Sequence, residues 1–205
     1  MTLANGETLR LLAFAALLGC GPAMVAPAQS FHAKDLQGRQ VERLDTSGAK
    51  VVVLIFAATD CPISNRYIPE IARLQKEFGT QRVAFWWVFP NPEDTSAVVR
   101  KHESDYSMQA ATIIDANQEL VRMAHVSVTP EAAVFAVENG ALREAYRGRI
   151  DDLYFAFGKE RPVAAHRDLE GAIQAVLAGK PTTGAAHGPV GCSIIPLTTA
   201  GSVKR

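Results

Sequence analysis

The sequence predicts a single α/β domain in which a central mixed sheet is flanked by helices. Three observations lead to this fold class. Apolar, β-branched runs alternate with segments of helical periodicity, which is typical of parallel strands connected by helices. The turn Glu138-Asn139-Gly140 joins two late apolar runs and indicates an antiparallel hairpin at the end of the sheet. The 205 residues contain no internal repeat or linker, which favours one domain.

The predicted strands are short, apolar and bounded by turn residues. The run 51–56 is continuously apolar and β-branched, as expected of a strand that is buried on both faces. Further strands are predicted at 83–89, 111–114, 132–137 and 142–146, and a short hairpin is predicted within 31–48.

The predicted helices carry apolar residues at three- and four-residue spacing. Tyr67, Ile71, Leu74 and Phe78 form one such stripe, and Gly79 ends this helix. Other helices are predicted from Asp94 or Thr95 to about Tyr106, through Leu120 and Met123, and from Leu169 to Leu177.

The overall composition is that of an ordinary globular protein without a charged field. Hydrophobic residues make up 48% of the chain, and 21 basic residues balance 21 acidic residues. A net charge of zero with no basic run provides no attraction for nucleic acid or for an anionic membrane. We therefore expect no nucleic-acid partner, and membrane association only through a lipid on Cys20.

The N-terminal segment predicts export. The apolar run 11–18 is too short to cross a membrane but suits the core of a signal peptide. Ala26-Pro27-Ala28 supplies the cleavage pattern, so that 1–28 is the predicted signal peptide and Gln29 begins a periplasmic or secreted protein. Leu17-Leu18-Gly19-Cys20 resembles a lipoprotein cleavage box, which gives anchoring through Cys20 as an alternative. A cytosolic protein with an apolar tail is a further alternative.

Cys61 is the predicted centre of the chemistry. It lies where a buried strand ends and a helix begins, and Pro62 suits the first helical turn. Free backbone N–H groups and the helix dipole at that position stabilise a thiolate, which lowers the pKa and raises reactivity. Asp60 opposes this effect and Arg66 offsets Asp60. The alternative is an inert buried cysteine.

Two segments resemble the thioredoxin-like redoxin-domain family, which includes the alkyl hydroperoxide reductase and thiol-specific antioxidant group. Residues 56–65, around Cys61, are similar to the active-site turn, and Val128-Thr129-Pro130 is similar to the cis-proline loop. The resemblance implies a thioredoxin-like fold over 29–181. It also implies that Thr129 and Pro130 lie beside the reactive sulfur and present backbone to the extended chain of a substrate.

The active-site turn departs from the family pattern at several positions. Ser64 replaces the second cysteine of Cys-x-x-Cys, so a mixed disulfide cannot be resolved within the turn. Leu54 and Ala58 stand where peroxiredoxins have proline and threonine, which leaves at most a weak thiol peroxidase. Asn65 breaks the Cys-x-x-x-Cys pattern of copper chaperones.

The predicted irregular tail, 182–205, carries Cys192. Together with Gly191 it resembles the C-terminal extension of a bacterial redoxin subgroup. Three roles are open for Cys192. It could fold back and resolve a mixed disulfide at Cys61, close a static structural disulfide, or remain a free thiol.

Two further hypotheses concern histidines and charges. Cys61 and Cys192 with His166 or His187 would suit Cu(I) or Zn, but no short ligand spacing supports this site, and we predict neither metal nor cofactor. The charged run 147–152 is interpreted as an ion-pair network bracing a loop, with a substrate cleft as the alternative.

The predicted function is that of an exported thiol–disulfide oxidoreductase. Cys61 is the nucleophile, Cys192 its resolving partner, and Pro62, Thr129 and Pro130 complete the site. The partners are a protein or small-molecule thiol or disulfide substrate and an external reductant. The alternatives are a Cu(I)-binding metallochaperone-like protein, a weak thiol peroxidase and a catalytically silent binding module.

Overall fold

A computed structural model describes residues 30–184 and 187–197. The predicted signal peptide, its cleavage site and Cys20 lie outside the described residues. Within the described part of the chain, no helix is long and apolar enough to cross a membrane.

A seven-stranded mixed sheet forms the centre of the molecule. Its strands are β1 (Ala33–Asp35), β2 (Gln40–Val41), β3 (Val51–Phe56), β4 (Val83–Phe89), β5 (Ala111–Ile114), β7 (Glu131–Glu138) and β8 (Ala141–Gly148), while β6 (Val128–Thr129) precedes β7 outside this sheet. The spatial order is β2-β1-β5-β4-β3-β7-β8. β3, β4 and β5 are parallel to one another, and the remaining pairings are antiparallel. The predicted mixed sheet is therefore confirmed.

β3 occupies the interior of the sheet because it is apolar at every position. Val51, Val53 and Ile55 enter a buried cluster on one face, whereas Leu54 and Phe56 enter a second cluster on the other face. All six residues of β3 are buried. Each face of the strand thus anchors one half of the core.

In the part of the chain that the structure describes, four helices cover the two faces of the sheet. They are α1 (Pro62–Phe78), α2 (Ser96–Tyr106), α3 (Glu119–Ala124) and α4 (Asp168–Leu177). The apolar stripe of α1 and the buried side of α4 pack in the first cluster, and α3 packs in the second. Thr95 caps α2 by accepting a hydrogen bond from the Val98 N–H at 3.4 Å. The predicted α/β class, with helices flanking the sheet, is confirmed.

Besides β6, which was not predicted either, three short strands were absent from the sequence prediction. β9 (Tyr154–Ala156) and β10 (Lys159–Glu160) form a small hairpin after the charged run. β11 (Cys192–Ser193) lies in the tail that was predicted to be irregular, and it pairs antiparallel with β6. This prediction for the tail is wrong at β11, because backbone pairing with a distant segment orders these residues without any local strand signal.

Candidate functional site

Cys61 lies at the junction between the central strand β3 and helix α1. Its backbone is extended, with φ −87° and ψ 109°, and it forms the N-cap residue of α1 with Pro62 in the first turn. Proline is well suited there because its missing N–H has no intrahelical partner in any case. Cys61 is only 1% exposed. The sulfur is therefore covered in this conformation.

The loop before β7 provides the first contact of the sulfur. The Cys61 Sγ–H donates to the carbonyl oxygen of Thr129, with an Sγ···O distance of 3.2 Å. The peptide bond between Thr129 and Pro130 is cis, as the family resemblance implied. Glu131, directly after this proline, accepts hydrogen bonds from the N–H groups of Ser127 (2.9 Å) and Val128 (3.4 Å). The buried Glu131 carboxylate thereby holds both ends of the loop together.

The C-terminal tail provides the second contact. Cys192 pairs with Thr129 in the β6–β11 ladder and packs against the buried cluster that contains Cys61. Gly191 passes so close to the Thr129–Pro130 peptide that a Cβ at this position would overlap with the Thr129 carbonyl. A glycine directly before Cys192 is therefore needed for this approach. The structure brings together Cys61, Pro62, Thr129, Pro130 and Cys192, all five of the predicted site residues.

The two thiols differ in the direction of their pKa shifts. Burial raises the pKa of Cys61, but hydrogen bonds from Cys192 and from the backbone and side chain of Ser64 outweigh it and hold the pKa below its usual value. Burial raises the pKa of Cys192, and the neighbouring Cys61 and the charge of Asp60 raise it further. Cys61 is thus the thiol that ionises first, which suits a nucleophile with a neutral partner.

Arg66 does not offset Asp60 as the sequence suggested. Its guanidinium Nε lies 3.6 Å from a carboxylate oxygen of Glu160 on β10, on an exposed part of the surface. Arg66 is not among the largest contributions to the pKa shift of Cys61. Arg66 lies beside Glu160 because strand β10 brings that carboxylate to the surface next to α1. Since the sequence did not predict β10, this partner of Arg66 was not expected.

Two polar contacts fix the turn around Cys61. The backbone N–H and the hydroxyl of Thr59 both donate to one carboxylate oxygen of Asp94, at 3.2 and 2.5 Å. Asn65 donates to the Thr59 carbonyl at 3.2 Å, while its own side-chain oxygen lies 2.8 Å from His102 Nε2. The turn is therefore tied to α2 and to the loop that precedes it.

The charged run 147–152 has a structural role, in agreement with the favoured interpretation. Arg149 donates to Asp168 at the start of α4 at 2.7 Å, and both side chains are largely buried. Asp151 accepts from the hydroxyl of Tyr67 at 2.6 Å, which joins the run to α1. The run therefore braces the loop against two helices.

The histidines of the metal hypothesis lie at a pocket that Arg149 and Asp152 of the charged run also line. His166 and His187 line a pocket of about 420 Å³ that extends along the tail to Val190. Among the residues that the structure describes, no group of three His, Cys, Asp or Glu side chains is arranged to hold a metal ion. The described residues therefore do not assemble the thiolate–imidazole set of that hypothesis.

Comparison with known families decides the classification. The family model of the AhpC/TSA family matches residues 24–146, more than half of the chain. The chain belongs to the AhpC/TSA family. None of the curated proteins is significantly similar to this member.

Several solved structures share the fold. A conserved protein from Geobacillus kaustophilus is 24% identical, with a TM-score of 0.71, and the match covers 84% of this chain and 92% of that one. The hypothetical protein SMc02350 from Sinorhizobium meliloti 1021 is 22% identical, with a TM-score of 0.70 and coverage of 83% and 93%. A putative thiol:disulfide interchange protein DsbE from Chlorobium tepidum is 20% identical, with a TM-score of 0.52 and coverage of 73% and 94%. This AhpC/TSA protein has the thioredoxin-like fold.

The sequence did not identify two residues that shape the site. Gln118 donates to the Ile195 carbonyl at 2.9 Å and accepts from the Leu197 N–H at 3.3 Å, so it anchors the tail beyond Cys192. Glu131 holds the loop beneath the sulfur. An acidic residue directly before the apolar run 132–137 was a usable signal, because a carboxylate that is buried with such a strand requires hydrogen-bond donors. Gln118 carried no comparable signal.

Proposed function

We propose that this protein is an exported thiol–disulfide oxidoreductase that uses Cys61 as nucleophile and Cys192 as resolving thiol. One observation carries the proposal: the tail pairs Cys192 with Thr129, whose carbonyl accepts a hydrogen bond from the Cys61 thiol, so that both cysteines lie at the same loop. Their proximity lowers the pKa of Cys61 and raises that of Cys192. Membership of the AhpC/TSA family supports thiol chemistry in general terms. The contrasting hypotheses are that the two cysteines form a permanent structural disulfide or that they never pair.

The reaction follows from the two thiols. The Cys61 thiolate attacks one sulfur of a substrate disulfide, a mixed disulfide forms, and the second substrate sulfur leaves as a thiolate. Cys192 loses its proton and attacks the Cys61 sulfur of that mixed disulfide, so that a Cys61–Cys192 disulfide forms and the substrate is released reduced. An external dithiol then reduces this disulfide. Ser64 cannot replace Cys192, since a hydroxyl does not exchange with disulfides.

The test is turnover and trapping with cysteine variants. With insulin as the disulfide substrate and dithiothreitol as the reductant, Cys61→Ser is expected to abolish the catalysed rate. With insulin and no dithiothreitol, Cys192→Ser is expected to keep the first step and to accumulate the mixed disulfide, which mass mapping locates at Cys61. Ser104→Ala, on the exposed side of α2, is the matched control and should keep the full rate. Undiminished turnover in Cys61→Ser would refute the proposal.

A weak thiol peroxidase activity is the second candidate, and the family match favours it. A peroxide would oxidise the Cys61 thiolate to a sulfenic acid with release of water, and Cys192 would condense with it to the disulfide and a second water. Leu54 and Ala58 replace the family's usual proline and threonine. Consumption of hydrogen peroxide by wild-type protein, compared with Cys61→Ser, separates this activity from disulfide reduction.

Export is part of the proposal and has its own test. The apolar run 11–18 and the Ala26-Pro27-Ala28 pattern support a cleaved signal peptide. Expression of the full chain in a bacterial host, followed by fractionation and N-terminal mass analysis, is expected to give periplasmic protein that begins at Gln29. A diacylated N-terminus at Cys20 would instead establish the lipoprotein alternative, and an intact cytosolic chain would contradict export.

A further inference from the structure

The tail occupies the surface on which a substrate chain would have to lie. Cys192 and Ser193 extend the backbone ladder of Thr129 and Val128, and the Ile194 N–H donates to the Ser127 carbonyl at 3.0 Å. This edge adjoins the loop that contacts the Cys61 sulfur. An extended peptide that pairs with the same edge would present its cysteine to Cys61 as the tail presents Cys192.

The residues of the tail indicate which features of a peptide this surface accepts. Gly191 is required because a Cβ there meets the Thr129 carbonyl and the Pro130 nitrogen, both of which belong to rigid backbone. Ile194 is only 7% exposed and belongs to the same buried cluster as Val121 and Val126. The surface therefore accepts glycine directly before the cysteine and an aliphatic residue two positions after it.

We infer that the tail is an internal occupant of the peptide-binding edge, which must leave before a substrate can bind, and that the substrates are extended peptide segments of the pattern Gly-Cys-x-aliphatic. The inference rests on the proposed function of Cys61. The tail thereby limits access to the buried sulfur as well as supplying the second thiol. Docking of the tail and binding of a substrate peptide are mutually exclusive at this edge.

The first test measures access to the sulfur. In a Cys192→Ser background, the rate at which iodoacetamide modifies Cys61 is followed by mass mapping of the full chain. Ile194→Ala is expected to raise this rate at least about tenfold, since it removes the buried side chain that holds the tail. The matched control is Ile195→Ala, whose side chain is 77% exposed and should leave the rate unchanged. Equal rates in all three proteins would overturn the inference.

The second test measures selection of the peptide. The probe is the tail sequence Gly-Pro-Val-Gly-Cys-Ser-Ile-Ile-Pro-Leu with its cysteine as a mixed disulfide with thionitrobenzoate. The Cys61 thiolate attacks the peptide sulfur, the Cys61–peptide disulfide forms, and coloured thionitrobenzoate leaves with the bonding electrons. With the Cys192→Ser, Ile194→Ala protein, this probe should react at least about tenfold faster than the same peptide with alanine before its cysteine. Equal rates for the two peptides would overturn the selection.

A small thiol reagent distinguishes failure of the further inference from failure of the proposed function. Dithionitrobenzoate needs no peptide surface, so it should modify Cys61 in the Ile194→Ala background whether or not peptides are selected. If it reacts while the peptides are not distinguished, the further inference is wrong and the proposed function stands. If it fails to modify Cys61 even there, the proposed function itself is wrong.

Discussion

The influence of Ser64 on the pKa of Cys61 allows a quantitative prediction. The hydroxyl of Ser64 is buried, at 1% exposure, and it stabilises the thiolate together with the Ser64 N–H and Cys192. Ser64→Ala removes only the hydroxyl. A hydrogen bond to a charged group contributes about 1.5–3 kcal/mol, and about 1.4 kcal/mol corresponds to one pKa unit. We therefore expect the pKa of Cys61 to rise and the thiolate fraction at pH values below that pKa to fall by about ten- to a hundredfold.

The assay is the pH dependence of Cys61 alkylation, measured by mass mapping in a Cys192→Ser background. The midpoint of the pH profile reports the pKa of Cys61. Shielding of the sulfur by the tail lowers the alkylation rate equally at every pH and does not move the midpoint. Ser64→Ala should move the midpoint upward and lower the rate at pH 7. Ser104→Ala, exposed on α2, should not move it. An unchanged or lower midpoint in Ser64→Ala would refute the role assigned to this hydroxyl.

Three further predictions concern stability, measured as the free energy of unfolding in urea. Tyr67→Phe should lower it by about 1–3 kcal/mol, because the buried Asp151 loses its 2.6 Å donor; an unchanged value would contradict this contact. Ile71→Ala should lower it by about 2–5 kcal/mol, since Ile71 is 0% exposed, whereas Val163→Ala, at 71% exposure, serves as the neutral control. Burial raises the pKa of Asp115 from 3.8 to about 6, so its ionisation costs stability as pH rises through that interval. Relative to wild type, Asp115→Asn should therefore gain up to about 3 kcal/mol between pH 4 and pH 7, and an equal difference at both pH values would refute this.

The sequence could predict the central elements because their signals are local. The strand at 83–89 and the strand at 111–114 appear at the predicted positions, since each is an apolar run bounded by turn residues. Helix α1 also has its predicted end, because Gly79 follows the last residue of the apolar stripe. In these segments, local preference and tertiary packing favour the same structure.

The tail shows why the rest of the site could not be predicted. β11 has two residues in a context rich in glycine and proline, and it is ordered by pairing with Thr129, 63 residues earlier in the chain. No periodicity can reveal such a pairing. The likeness of 56–65 to an active-site turn located Cys61, but the position of Cys192 depends on a backbone approach that only Gly191 permits. This close backbone approach is a property of the folded structure and leaves no pattern in the sequence.

The short pairing of β11 means that backbone amides in this molecule are protected from hydrogen exchange in two different ways. The amides of β3 lie in a fully buried strand with a partner on each side, so their hydrogen exchange requires global unfolding. The Ile194 amide depends on a short ladder at the edge of the fold, and its exchange requires only local opening. Access of reagents to the Cys61 sulfur depends on the same local opening of the tail. Thermal stability and thiol reactivity can therefore change independently, through different residues, within the same domain.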